Sequence, residues 1–170
     1  MKKDLGIIFG LFLFIIALLI FGRSFTSLNF VGQQPFGETS VNSTNRDRVA
    51  ISIRTLVIDA KVAKTAADRK QGLAKMDFLP LNQGLLFVFD KKGSYPFWMK
   101  DMRFAIDIVW IDEDKQVVDL STNVPPEPGK RDRELTIYKP GSDVLYVLEV
   151  NAGLMSANSI EIGDKVIFEL

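Results

Sequence analysis

Hydrophobic and polar positions follow two different rules along this chain. From Leu5 to Gly22 the sequence reads LGIIFGLFLFIIALLIFG, an apolar run of 18 positions without a charge. At about 1.5 Å per helical residue it reaches about 27 Å, close to the thickness of a bilayer core. Beyond residue 48 the pattern changes to short alternating stretches. Val49 to Asp59 (VAISIRTLVID) alternates and is rich in β-branched residues, which predicts an opening strand. Further strands are predicted at Gly84 to Phe89, Tyr95 to Lys100, Ala105 to Ile111, Gln116 to Ser121, Val144 to Val150 and Lys165 to Glu169. Asp112 to Lys115 supplies a hairpin turn between two of them.

Helical signals are few. Thr65 followed three residues later by Asp68 resembles a capping box, and the helix it starts is interrupted at Gly72. A second short helix is expected within Ala152 to Asn158. Many short strands with few helices predict a mainly β domain, sandwich-like or a partly closed barrel rather than a βαβ fold, preceded by an N-terminal transmembrane helix. Residues 1–25 form the anchor, the Gly-, Ser- and Asn-containing stretch 26–47 reads as a linker, and 48–170 form the β-rich domain. The longest candidate flap runs from Thr122 to Pro140, where prolines and a Lys-Arg-Asp-Arg-Glu run oppose burial.

Lys2 and Lys3 precede the apolar run while only Arg23 follows it closely, so the positive-inside bias keeps the N-terminus cytoplasmic and sends the domain outward. A retained signal anchor is favoured over a cleaved signal peptide, because Ile20 to Phe25 offers no convincing small-residue cleavage site. Both readings imply export. The chain has neither Cys nor His, which removes Cys/His zinc sites, cysteine nucleophiles and Ser-His-Asp triads. Lys plus Arg equals Asp plus Glu at 21 each, so no net charge draws the chain to nucleic acid, and none is expected as a partner. No cofactor and no metal site is expected; the acidic turn Asp112 to Asp114 lacks the Gly and distant Glu of an EF-hand.

Candidate chemistry lies where polar residues interrupt apolar strands. Asp107 shares its strand face with Ala105, Val109 and Ile111, and Glu149 shares one with Leu145 and Val147. A carboxylate there must be paired, hydrogen-bonded or protonated. Trp98 and Lys100 fall on one face of YPFWMK, opposite Tyr95, Phe97 and Met99, and Arg69 on the first helix is a further cation. The plainer reading makes Asp107 and Glu149 structural acceptors; the functional one gathers Arg69, Trp98, Lys100, Asp107 and Glu149 into one ligand pocket.

The soluble part resembles the bacterial and archaeal domain-of-unknown-function family 192 over about 120 residues. The resemblance rests on Thr65, Arg69, Gly72 and Leu73, on Gly84 with LLFVF, and on the Phe97-Trp98-Met99-Lys100 segment. It continues through Ile106-Asp107-Ile108, Leu148 to Gly153 and Gly163-Asp164. Asp101 and Met102 stand where the family usually has Asn and Thr, and Ala74 where it has Met. The resemblance implies a mainly β fold and frequent export, with no assigned activity.

Three functions fit these residues. The leading one is a membrane-tethered binding or accessory module for a small ligand or envelope component. A second is a hydrolase-like enzyme using Asp107 and Glu149 as acid and base, which leaves catalysis open. The third is an interaction scaffold presenting Pro125 to Arg133 to a partner protein.

Overall fold

The structure, a computed structural model, describes residues 47–74 and 76–170. The predicted anchor and nearly all of the linker lie outside those residues. No helix among the described residues is long and apolar enough to cross a membrane.

The opening alternation folds as two strands instead of one. β1 (Arg48–Ile53) turns at Arg54 and Thr55 and returns antiparallel as β2 (Leu56–Ala63), with Ile53 opposite Leu56. Arg54 takes a φ of 51°. Two-residue hairpin turns require such geometry but usually mark it with Gly, Asn or Asp, which hid this turn in the sequence. Helix α1 (Ala66–Gln71) begins as predicted. The Thr65 hydroxyl accepts from the Asp68 amide, the Asp68 carboxylate accepts from the Thr65 amide, and Gly72 ends the helix at φ 52°. α1 carries the chain to β3 (Gln83–Gly93), which pairs parallel to β2 with Asp59 opposite Gln83. One βαβ crossover is therefore present in a sheet otherwise paired antiparallel.

β4 (Ile106–Ile111), β5 (Val117–Val124), β6 (Val144–Asn151), helix α2 (Leu154–Ala157) and β7 (Val166–Ile167) complete the elements that matter here. The seven strands form one sheet in the order β5-β4-β6-β3-β2-β1-β7. Its two edges meet at one end, where Gln116 and Lys165 form a bridge. There the Val117 amide donates to Asp164 O at 2.9 Å and the Val166 amide donates to Lys115 O at 2.8 Å. The fold is mainly β, as expected, and takes the form of a half-barrel instead of a two-sheet sandwich.

Curling gives the sheet two apolar faces. The inner face gathers Ile51, Ile53, Ile58, Leu86, Val109 and Leu148 with Val117 and Val166 from the two edges, and Met155 of α2 plugs it. The outer face gathers Leu85, Phe87, Ile108, Trp110 and Val147, covered by Leu73, Leu79, Met99 and Met102 from the loops. Fully burying each aliphatic side chain contributes about 1.5–3 kcal/mol, so both faces supply stability. Those loops include the segment Tyr95 to Lys100, which is not the predicted strand. Pro96 has no amide hydrogen for a ladder, and the segment makes a single bridge, Phe97 with Tyr138. That bridge, with amide–carbonyl bonds of 2.7 and 2.9 Å in the two directions, holds the far end of the predicted flap down.

Candidate functional site

Asp107 sits on β4 opposite Val150 of β6, which places its side chain on the inner face. It is fully buried and accepts three backbone hydrogen bonds. A bulge in β5 opposite Asp107 puts Asn123 at φ 52° and turns its amide inward. Oδ1 accepts from that amide at 2.8 Å and from the Gly153 amide at 3.0 Å, and Oδ2 accepts from the Met155 amide at 2.9 Å. Gly153, at φ 86°, makes the turn that presents the last two donors. Asp107 thus staples β4, β5 and the start of α2, and leaves little acceptor capacity for a substrate.

Glu149 lies opposite Leu85 of β3 and Ile108 of β4, both outer-face residues. Its side chain is on the other side of the sheet from Asp107. It is 6% exposed, and its buried Oε2 accepts no hydrogen bond among the described residues. Burial pushes its carboxyl up to about 8. With no cation beside it among the described residues, burial favours the protonated acid at neutral pH. The expectation that Asp107 and Glu149 work as an acid and base on one substrate is corrected by this geometry: the sheet separates them, and three backbone amides already occupy Asp107.

The remaining candidates are placed apart from both carboxylates. Arg69 lies along α1, donates to Val88 O at 2.9 Å and to Lys64 O, and stands 5.2 Å above the Phe89 ring. Phe89 in turn stacks on Tyr95. Arg69 therefore clamps the helix to β3. Trp98 is 49% exposed, and Lys100 is exposed as well. Lys100 is taken by Asp132 of the flap at 2.6 Å, an exposed pair that raises the lysine's pKa. Arg69, Trp98, Lys100, Asp107 and Glu149 line neither the cleft beside α1 nor a shallow one around Asp101 to Arg103 and Pro128, and the sheet stands between Asp107 and Glu149.

A cleft of about 100 Å³ lies between α1 and the parallel strands β2 and β3. That is room for several water molecules or for one end of a larger molecule. Its apolar floor is Ala63, Leu73, Leu79 and Leu85, and Arg48, Lys61, Asp68, Gln71 and Gln83 stand around it. Arg48 is engaged by Asp59 and Asp68 by Thr65. The side chains of Lys61, Gln71 and Gln83 make no hydrogen bond with another described residue in the structure. Leu85 joins this cleft to Glu149, its neighbour on the outer face. Gly84 lets the strands close there, since a Cβ at this position would come within 2.9 Å of Glu149 O. Two residues beyond Glu149 on β6, the side-chain amide of Asn151 donates to Leu79 O at 2.9 Å and Pro80 O at 3.2 Å, holding the loop that forms the cleft wall.

Residues 49–168 match the family described as DUF192, Uncharacterized ACR, COG1430. The chain belongs to this family. The DUF192 chain is 29% identical over 112 residues to a UPF0127 protein of Thermococcus sibiricus, covering 65% of this chain and 66% of that protein. It is 28% identical over 108 residues to a UPF0127 protein of Thermococcus kodakarensis, covering 62% of each. The chain thus spans a little under two thirds of the length of these relatives. Its fold is similar to the crystal structure of a protein of unknown function from Novosphingobium aromaticivorans, with a TM-score of 0.63 at 26% identity over 71% of this chain and 83% of that one. A putative transcription regulator from Sinorhizobium meliloti matches with the same TM-score and identity, over 71% of this chain and 92% of the other.

Sequence reasoning missed the cleft residues of this DUF192 domain. Lys61, Gln71 and Gln83 are ordinary exposed polar residues in the sequence, and only the parallel pairing of β2 with β3 brings them together. The one legible signal was the helix between two strands, which is the mark of a crossover.

Proposed function

We propose that this DUF192 domain is a non-catalytic binding or accessory module, held at the outer face of a membrane by Leu5 to Gly22, that takes a small polar ligand or one end of an envelope component in the cleft between α1 and β3. The observation that carries the reading is the pairing of an apolar floor with side chains that make no hydrogen bond to another described residue. Lys61, Gln71 and Gln83 surround Ala63, Leu73, Leu79 and Leu85. Convergent polar groups over an apolar base are the usual plan of a small-molecule site. The two amides offer donors and acceptors to hydroxyl or peptide groups, and the ammonium favours an anionic one. A sugar or short peptide bearing a carboxylate fits that chemistry.

The test is a thermal-shift screen of the full-length protein in detergent against saccharides and short peptides. A ligand is expected that raises Tm in the native protein and in a Trp98→Ala, Lys100→Ala double variant, and fails to do so in a Lys61→Ala, Gln71→Ala double variant. Loss of the shift only in the Trp98 and Lys100 variant transfers the site to the aromatic segment. Identical shifts in all three proteins contradict both placements.

A further inference from the structure

The loop between α1 and β3 exposes three large apolar side chains within six residues: Met76 at 38%, Phe78 at 70% and Leu81 at 73%. Single exposed apolar residues are ordinary on a protein surface, but a cluster on one short loop is not. The loop is held in place from below. Leu79 is buried in the outer core, and the carbonyls of Leu79 and Pro80 are fixed by Asn151. Its position relative to the incoming chain is also fixed, because Met76 and Leu79 share the cleft with Arg48, the second described residue. The chain therefore enters the domain beside the apolar loop. The other exposed apolar residues of the sheet edge, Val57 and Ile167, both lie opposite Ser52, near the far end of β1.

Charge points the same way. The whole chain is neutral, yet between Ala60 and Asn82 the basic residues Lys61, Lys64, Arg69, Lys70 and Lys75 outnumber the acidic Asp68 and Asp77. Apolar side chains set among basic ones are the chemistry of a surface that settles into the headgroup region of an anionic bilayer. We infer that the loop Met76 to Leu81 is a membrane-contacting loop, inserting Phe78 and Leu81 into the headgroup boundary of an anionic bilayer. The inference rests on the membrane-tethered reading above. Residues 26–47, whose composition reads as a tether, lead into the domain at Arg48, beside this loop.

The absence of cysteine makes the test clean. Full-length protein carrying Phe78→Cys, Leu81→Cys or Ile167→Cys is labelled with a fluorophore and reconstituted into vesicles with or without anionic lipid. Quenching is then read with lipid-borne nitroxides placed near the headgroups. Quenching at positions 78 and 81 is expected to exceed that at 167 severalfold, and to weaken when the anionic lipid is omitted. Equal quenching at all three positions overturns the inference, and it is the result expected if the loop instead meets a protein or a second copy of the chain. Alkaline extraction of the same vesicles separates the two readings. A chain that stays with the vesicles while its labels quench equally keeps the tether and loses the loop. A chain that is extracted intact loses the tether, and strong quenching at 78 before extraction still supports the loop.

Discussion

Asp107 and Glu149 are both carboxyl-bearing residues in central strands of one sheet, and both are shut away from water. Their surroundings are opposite. On the inner face, Asp107 collects three backbone amides from a bulge and a helix start, so the negative charge is compensated by fixed donors. On the outer face, Glu149 stands among Leu85, Ile108 and Val147 with an oxygen that accepts no hydrogen bond from the described residues. Burial alone therefore assigns no role to a polar residue. The donors around it decide whether it is a staple or an unspent group, and the outer face carries unspent polar groups beside a cleft.

The sharpest way to break this contrast is Asp107→Ala. Removing the carboxylate leaves one buried and two part-buried amides without their acceptor, and a loss of about 2–4 kcal/mol is expected in denaturant unfolding. A loss below about 1 kcal/mol makes Asp107 dispensable and removes the contrast.

Glu149→Gln should act in the other direction and depend on pH. The carboxyl titrates higher in the folded protein, at about 8, than in the unfolded chain, so the folded state binds the extra proton. Stability from the native side chain is then fully present below the unfolded value of about 4.3, and falls as pH rises toward about 8. The Gln variant should show a flatter profile and exceed the native protein at pH 8–9 by on the order of a few kcal/mol. Parallel unfolding profiles for the two proteins across that range remove the uncompensated carboxyl.

Asn151→Ala sharpens the link between the outer face and the cleft. Loss of its two bonds to the loop is expected to cost about 1–2 kcal/mol and to speed limited proteolysis between Met76 and Leu81. Unchanged cleavage there detaches the loop from β6. The smallest effect belongs to Lys100→Ala: its pair with Asp132 is solvent-exposed on both sides and screened by water, so an unchanged unfolding midpoint is expected.

Much of this fold was legible because alternation and caps are local. Thr65, Asp68 and Gly72 bounded α1 correctly, and β3, β4, β5 and β6 fell within a few residues of their predicted positions. The hairpin at Arg54 and Thr55 escaped because a residue without turn chemistry was held at positive φ by the pairing on either side. The segment Tyr95 to Lys100 misled because its alternation is real but Pro96 denies it a ladder. Asp107 and Glu149 were recognisable as buried carboxyls, yet a two-residue period within each strand says nothing of whether two strands turn their odd positions to the same side. That depends on register, and here Asp107 faces Val150 while Glu149 faces Ile108. The cleft residues were invisible for a related reason: their proximity comes from the crossover between β2 and β3.

The most direct test of the divided sheet is a carboxyl titration of the native protein by carbon NMR, with Glu149→Gln used to assign the resonance. The outer-face residue is expected to remain protonated through neutral pH and to titrate with an apparent value of about 8. A midpoint in the ordinary carboxylate range of about 4–5 contradicts the account, because it requires a charged Glu149 with partners that the described residues do not supply.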